Sequence, residues 1–186
     1  MEEGFHGAGI DGEGKFDGFS LSGEDRWYTL PARRVRAINN ELAQFTFLPG
    51  WLRAVGPGWI SWGVESFLDE IAHQQGQDPL AMRLAMLDGA GKNAGGSGST
   101  VGGATRLAAV LKDVAERAGW GRDMPANEGL GIGVGHGQER GMPTWVACVA
   151  HVAVDPSSGD VKLKKLWQTI DVGTVVNPDG AMAQAE

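Results

Sequence analysis

Apolar residues recur at helical spacing from residue 60 to residue 71. Ile60, Val64, Phe67, Leu68 and Ile71 fall at positions i, i+4, i+7, i+8 and i+11, so a helix would carry them on one face. Charged and polar residues lie mostly on another face of the same helix. The pattern therefore predicts an amphipathic helix that packs through this apolar face.

Two further helices are predicted downstream. The pair Asp78-Pro79 is typical of an N-cap followed by the first helical position. The apolar residues that follow it at helical spacing are Leu80, Leu84 and Leu87. Residues 106–118 form the third predicted helix, and its inward-facing residues are Leu107, Val110, Leu111 and Val114. Gly119 is suited to the left-handed conformation that ends a helix.

Beyond Gly129 the apolar pattern changes to a period of two. Residues 144–154 are apolar on both faces, which favours a strand that is covered on both sides. Turn residues at 155–160 and a second apolar stretch at 161–171 predict a β-hairpin, with a bulge where Lys164-Lys165 interrupts the alternation. Residues 27–47 are read as extended. The fold class predicted from these elements is α+β, with helices packed on a mixed or antiparallel sheet.

The composition divides the chain into four parts. They are a glycine-rich arm at 1–27, a strand, loop and helix pair at 28–87, a flexible connector at 88–103, and a helix with the hairpin and the start of a last helix at 104–186. That last helix has barely begun at Asn177-Pro178, and so short a helix normally packs on residues that follow it. We therefore expect the chain to be a segment of something larger.

Bulk properties exclude some classes of function. The net charge of −7 argues against a protein that tracks nucleic-acid phosphates, and a single cysteine, Cys148, excludes a disulfide or an iron–sulfur cluster built from this chain. The start of the chain, residues 1–3, is acidic where a secretory signal peptide would be basic. The cellular location stays open between the cytoplasm and the periplasm, with or without association with a membrane through other proteins.

Several short motifs have a simpler structural interpretation. The glycine pattern at 7–12 fits a dinucleotide-binding loop, but no strand precedes it. Glu65, Asp69 and His73 stand at i, i+4 and i+8 and could in principle bind a metal; the polar side of an amphipathic helix explains them better. His151 is expected to be a hydrogen-bonded core residue, and Cys148 a small core side chain. The residues alone thus predict no metal site.

Two glycine-bearing segments match a known family in order and spacing. The first reads R-A-V-G at 53–56, followed by E-S-F-L-D-E-I-A at 65–72 and by D-P-x-x-x-R at 78–83. The second reads D-x-G-x-x-x-N-P at 171–178 and continues to Gln184 and Glu186, and residues 137–145 resemble the entry to its hairpin. Over residues 28–186 the chain resembles the molybdopterin-binding large subunits of the xanthine dehydrogenase and aldehyde oxidase superfamily. The most similar branch contains isoquinoline 1-oxidoreductase β subunits and bacterial molybdenum aldehyde dehydrogenases.

The resemblance implies roles for four residues. Arg53 would fix an oxo or pterin-phosphate group, Val55 would line the substrate channel, and Gly56 would permit close backbone approach. Gln184 matches a glutamine that hydrogen-bonds the pterin. The family's catalytic glutamate base lies beyond the last residue of this sequence, so no catalytic residue is assigned, and the chain by itself is expected to be inactive.

The resemblance also implies a reaction and partners. The complete enzyme would oxidise or hydroxylate aldehydes or N-heterocycles with water-derived oxygen at a molybdopterin-type cofactor. Electrons would pass to iron–sulfur clusters on a small partner subunit, with a cytochrome subunit as a further candidate partner and the remainder of the large subunit completing the site. Two alternatives stay open: a carbohydrate- or aromatic-binding module, suggested by seven Trp and 30 Gly, and a structural subunit of a split enzyme.

Overall fold

The chain folds as helices packed on a three-stranded antiparallel sheet. The computed structural model describes residues 23, 27–32, 34–35, 42, 46, 54–90, 103–137 and 144–186. The elements bounded within these residues are α1 (Val55–Gln74), α2 (Pro79–Met86), α3 (Gly103–Ala118), β1 (Glu128–Gly137), β2 (Thr144–Val154), β3 (Val161–Asp171) and α4 (Pro178–Ala185). The strand order is β1-β2-β3, and both pairs are antiparallel. The predicted α+β class is confirmed.

One face of the sheet is covered by α3. Its apolar side packs across β2 and β3, and the sequence-predicted inward residues Leu107, Val110, Leu111 and Val114 are all buried. The sheet side chains beneath this helix are also buried: Ile132, Val134, Trp145, Ala147 and Val149. Gly119 ends the helix with φ 63°, as its position predicts. Burial of these apolar groups is the main favourable term that holds helix and sheet together.

The opposite face of the sheet is only partly covered. There β1 presents a glycine at every second position from Gly129 to Gly137, and α1 packs against this strand. The β3 residues Leu163, Leu166 and Ile170 on this face are exposed. The prediction that 144–154 is covered on both sides is therefore wrong for this second face, whose β2 side chains are only half-buried because α1 packs chiefly against β1.

The predicted hairpin is confirmed with its bounds. Asp155 and Asp160 close the turn through a backbone hydrogen bond of 2.9 Å, and Gly159 adopts φ 78°. The ladder between β2 and β3 shifts register between His151 and Val152. This shift leaves Lys164 without a partner residue in the ladder, which is the predicted bulge.

The apolar face of α1 is rotated from the predicted one. Phe67 is 60% exposed, whereas Glu65 is 8% exposed and Leu68 and Ala72 are buried. The prediction is wrong at Phe67 because it counted Glu65 as a solvated position. Glu65 instead accepts a hydrogen bond from the buried Arg83, so the side of α1 that carries Glu65 faces the core.

The extended interpretation of 27–47 is wrong at the two described positions in its second half. Leu42 and Thr46 are both helical. They stand four residues apart in a stretch that contains Glu, Leu, Ala and Gln, which are good helix formers. The second predicted helix, by contrast, is confirmed as α2, and Asp78 caps it by accepting a hydrogen bond from the Ala81 N–H at 2.8 Å.

No helix among the described residues combines the length and the apolar character needed to cross a bilayer.

We expect Gly103→Ala to destabilise the fold, because a methyl group at this position would overlap the buried indole ring of Trp27. Overpacking of this kind costs about 1–3 kcal/mol. Gly63→Ala in α1 is the matched control, since nothing lies within 4 Å of its added carbon, and replacing an interior helix glycine should raise stability by about 0.5–1 kcal/mol. Urea unfolding of both variants measures the two effects, and equal stability changes would contradict the packing of Trp27 on α3.

Candidate functional site

The four residues implied by the resemblance are described to different extents. Arg53 lies outside the described residues. Val55 is the first residue of α1, and only its backbone is described. Gly56 is buried in the first turn of α1, and Gln184 is exposed in α4.

The start of α1 is suited to an anion. Ala54 precedes the helix with φ 71°, a left-handed conformation that costs an L-residue roughly 1–2 kcal/mol. No side chain caps the helix, and no acidic residue occupies its first turn. The N–H groups of Val55 and Gly56 have no partner within the helix and lie at its positive end, whereas the third residue, Pro57, has no N–H. An anionic group next to Arg53 would therefore be stabilised by this helix end.

A second group of functional interest lies at the end of β3. Asp171 binds Arg106 of α3 through both carboxylate oxygens, with Nε donating to Oδ2 at 2.6 Å. The Arg106 guanidinium also stacks over the Trp145 ring, 4.0 Å from its centroid. These hydrogen bonds hold the pKa of Asp171 below its ordinary value, so the carboxylate is charged. The segment that leads to Gln184 begins at this ion pair.

The segment after β3 ends in a short, exposed helix. Asn177 caps α4 by accepting a hydrogen bond from the Gly180 N–H at 3.0 Å, and Pro178 occupies the first helical position. None of the residues of α4 is buried. Gln184 thus presents its amide to the surroundings rather than to the core of this chain.

The acidic residues of α1 have a structural role. Glu65 Oε2 accepts from the Nε of Arg83 at 2.8 Å, and Arg83 Nη1 lies 2.8 Å from Asp69 Oδ1. The Tyr28 hydroxyl and the backbone N–H of Val134 also donate to Glu65, at 3.1 and 3.3 Å. Arg83 is completely buried. One buried ion-pair network therefore joins α1, α2, β1 and the segment that carries Tyr28.

The network explains the protonation of Arg83. Burial would lower the pKa of its guanidinium, but the charge of Glu65 and the hydrogen bond to it raise the pKa above its ordinary value. Because Glu65 and Asp69 both bind Arg83, they are not free to bind a metal, while His73 is exposed. No cluster of three or more His, Cys, Asp or Glu suited to a metal occurs within the described ranges.

Two isolated residues agree with their sequence interpretation only in part, because neither is fully buried as a core residue would be. His151 is half-buried, and its Nε2 lies 2.6 Å from Glu128 Oε2, as expected of a hydrogen-bonded residue. Cys148 is half-buried, and burial raises the pKa of its thiol, which lowers its reactivity.

A groove of about 280 Å³ separates α1 from the sheet. Trp62 and Asp69 line it from the helix, and Gly131, Gly133 and Cys148 line it from the sheet. Neither Gly56 nor Gln184 lines this groove. Glu65, Ser66 and Asp69 of the motif at 65–72 do line it, so the groove borders one of the family motifs but not Gly56 or Gln184.

The sequence interpretation missed the role of Arg106 and the pairing of Glu65 with Arg83. The pairing of Glu65 carried a usable signal, because the motif at 65–72 supplies carboxylates and the motif at 78–83 supplies an arginine on the next helix along the chain. Arg106 stands 65 residues from Asp171, and no local pattern joins them.

Comparison with known proteins gives one family match and several relatives. A family model described as a molybdopterin cofactor-binding domain matches residues 90–186. The chain is 52% identical over 187 residues to a membrane-bound aldehyde dehydrogenase [pyrroloquinoline-quinone] of Gluconacetobacter polyoxogenes, with all of this chain and 24% of the relative covered.

Two more distant relatives are named as parts of oxidoreductases. The β subunit of isoquinoline 1-oxidoreductase of Brevundimonas diminuta is 28% identical over 159 residues, which cover 86% of this chain and 18% of the relative. A nicotinate dehydrogenase subunit of Pseudomonas putida is 30% identical over 147 residues, which cover 72% of this chain and 11% of the relative. The chain thus spans about a quarter or less of the length of these curated relatives.

We expect Arg83→Met to lower the free energy of unfolding by about 3–5 kcal/mol, because it leaves the Glu65 carboxylate buried without its cation. The double variant Glu65→Gln with Arg83→Met removes both charges and should recover part of this loss. Urea unfolding measures both. A double variant that is less stable than Arg83→Met would contradict the assignment of the loss to an unpaired charge.

The Arg106–Asp171 pair should contribute stability that depends on pH. Because the folded pKa of Asp171 is below its ordinary value of 3.8, the contribution is present above pH 3.8 and is lost as pH falls through the folded value. The difference in unfolding free energy between the native chain and Asp171→Asn should therefore be constant above about pH 5 and shrink on acidification. A difference that stays constant down to the lowest pH at which the chain folds would contradict the ion pair.

Proposed function

Because this chain belongs to the family of molybdopterin cofactor-binding domains, we propose that it forms part of the cofactor pocket of an oxidoreductase that acts on aldehydes or N-heterocycles. The observation that carries the proposal is the family match over residues 90–186, which includes β3, the Asp171 turn and the helix with Gln184. The high identity to a protein named as an aldehyde dehydrogenase favours aldehydes over heterocycles as substrates.

The residues present fit an anionic pterin cofactor. Its phosphate would bind Arg53 and the uncapped start of α1, where N–H groups attract negative charge. Gly56 is buried in the first turn of α1, where the lack of a side chain permits close packing beside the proposed site. The exposed amide of Gln184 can both donate to and accept from a pterin ring. When bound, the cofactor supplies the transfer of water-derived oxygen to the substrate.

The contribution of this chain is binding and orientation rather than proton transfer. Glu65 is buried against Arg83, and Asp171 is bound to Arg106 with a lowered pKa, so neither is suited to act as a general base. Val55 stands two residues after Arg53, and we propose that this position borders the substrate channel. We propose that the catalytic base is supplied by residues that are not part of this sequence.

A second cofactor is favoured by one observation. The relative that is 52% identical has pyrroloquinoline-quinone in its name. An anionic quinone could also bind Arg53 and the start of α1, because both sites recognise negative charge rather than a pterin ring. Gln184 would then have no assigned partner. The family match favours the pterin, and direct analysis of the cofactor decides between them.

The proposed enzyme has several subunits. Two relatives carry names that make each of them one subunit of a larger enzyme. We propose an iron–sulfur small subunit as the electron acceptor for this chain, with a cytochrome subunit as a further candidate. Since the chain has one cysteine, the clusters would be held by the partner.

We expect Arg53→Ala and Gln184→Ala to lower the pterin content of the protein purified with its native partners. A charge-assisted hydrogen bond contributes about 1.5–3 kcal/mol and a neutral one about 0.5–1.5 kcal/mol, so the arginine variant should lose about ten- to a hundredfold in affinity and the glutamine variant less. Molybdenum analysis and pterin fluorescence after oxidation measure the content.

The exposed residues Arg34 and Gln75 supply matched controls. Arg34→Ala and Gln75→Ala should keep the native pterin content. If the site variants keep it as well, or if the purified protein contains pyrroloquinoline-quinone and no pterin, the proposed cofactor pocket is wrong.

A further inference from the structure

We propose that Arg106 is a positioning residue that fixes the direction in which residues 172–186 leave the sheet. By fixing this direction, Arg106 also sets the position of Gln184, which lies near the end of the segment. The direction itself follows from contacts within this chain, whereas the consequence for a cofactor rests on the proposed function.

The Arg106 side chain contacts residues of two neighbouring strands. Trp145 and Asp171 are directly opposite each other in the β2–β3 ladder, so their side chains share one face of the sheet. Arg106 binds the carboxylate of one and stacks on the ring of the other. Trp145 is fully buried, which holds the stacking surface in place. A planar guanidinium satisfies both partners at once, and the round ammonium group of lysine would not.

The same carboxylate fixes the turn that follows. Asp171 Oδ1 accepts a hydrogen bond from the Gly173 N–H at 2.9 Å as well as one from Arg106. Gly173 adopts φ 74°, and a Cβ built on it would lie 3.8 Å from Arg106 Nη2. The turn therefore lies against the guanidinium. Its geometry depends on how Arg106 holds the carboxylate.

Little else in the described residues orients the segment. The backbone hydrogen bonds at Ala181 and Glu186 and the side-chain cap at Asn177 are all internal to residues 177–186. No residue of α4 is buried. Ala185 alone among the residues of α4 is half-buried and the others are exposed, so the turn at Asp171 is the main contact that sets the course of the segment toward Gln184.

Site-directed spin labelling tests this role in the folded chain. Val176 is 93% exposed, so a nitroxide at Val176→Cys in a Cys148→Ala background reports backbone motion without disturbing packing. We expect Arg106→Gln to raise the mobility of this label severalfold and Arg106→Lys to raise it less. A label at Ser157→Cys, in the exposed turn of the hairpin, should not change.

Arg117→Gln is the matched control on the same helix. Arg117 also pairs with an aspartate, Asp113, which accepts a hydrogen bond from Thr169 within β3, whereas the partner of Arg106 bonds to the turn after β3. If Arg106→Gln leaves the label at residue 176 unchanged, the positioning role is overturned. It is also overturned if Arg117→Gln gives the same rise, or if the label at residue 157 loosens equally.

Should Arg106→Gln fail to fold, Asp171→Asn tests the same contact from the other side. The carboxamide keeps the size of the side chain and loses the charge. A rise in mobility at residue 176 supports the proposal, and unchanged mobility overturns it.

Pterin content separates this inference from the proposed function. If Arg106→Gln raises the mobility of the segment, and both Arg106→Gln and Gln184→Ala lower the pterin content, Arg106 positions the segment toward the cofactor. If the mobility rises but only Gln184→Ala lowers the pterin content, positioning toward the cofactor is overturned. If neither variant changes the content while the segment loosens, the control of direction by Arg106 stands and the proposed contact of Gln184 with the cofactor is wrong.

Discussion

The buried ion pair between Glu65 and Arg83 is the constraint on which the arrangement of the helices depends. Two carboxylates bind one guanidinium that is shielded from water, and Glu65 also accepts from the Tyr28 hydroxyl and from the backbone of β1. Such a network specifies position more than it adds stability, because the free-energy cost of removing two charges from water roughly cancels the attraction between them. It orients α1 relative to the sheet, and the uncapped start of α1 is thereby held in a defined place.

A second arginine has the corresponding task at the other end of the described chain. Arg106 joins α3 to the last residue of β3, where the exposed segment begins. Both segments that match the family thus include or adjoin a charged contact between elements, Glu65 with Arg83 in the first and Asp171 with Arg106 in the second. This arrangement is common in binding sites, because loops offer polar groups that a regular element has already used, and the scaffold supplies the precision.

The sequence predicted α3, the hairpin and its bulge well, because each is encoded locally by periodicity or turn residues. Sequence-based prediction failed at positions whose burial is set by a residue far away in the sequence. Helical periodicity treats Glu65 as a surface position, and only the presence of Arg83 makes it a buried one. In β1 the alternating glycines weaken the strand signal, so that strand was not assigned a range. Family motifs predict roles for Arg53, Gly56 and Gln184, whereas the support that we propose Arg106 gives to Gln184 depends on the tertiary fold.

The glycine row of β1 sets the gap between helix and sheet. At Gly133 a Cβ would already touch Glu65, and at Gly135 it would come within 3.2 Å of Val146, whereas at Gly129, Gly131 and Gly137 it would meet nothing. A methyl group at Gly133 would fit in ordinary van der Waals contact, whereas a longer side chain there would push α1 outward and draw the Glu65 carboxylate away from the Val134 amide. At Gly135 the crowding would be against Val146 of β2. The centre of β1 therefore limits how closely α1 can approach the sheet, whereas both ends of the strand have room for added side chains.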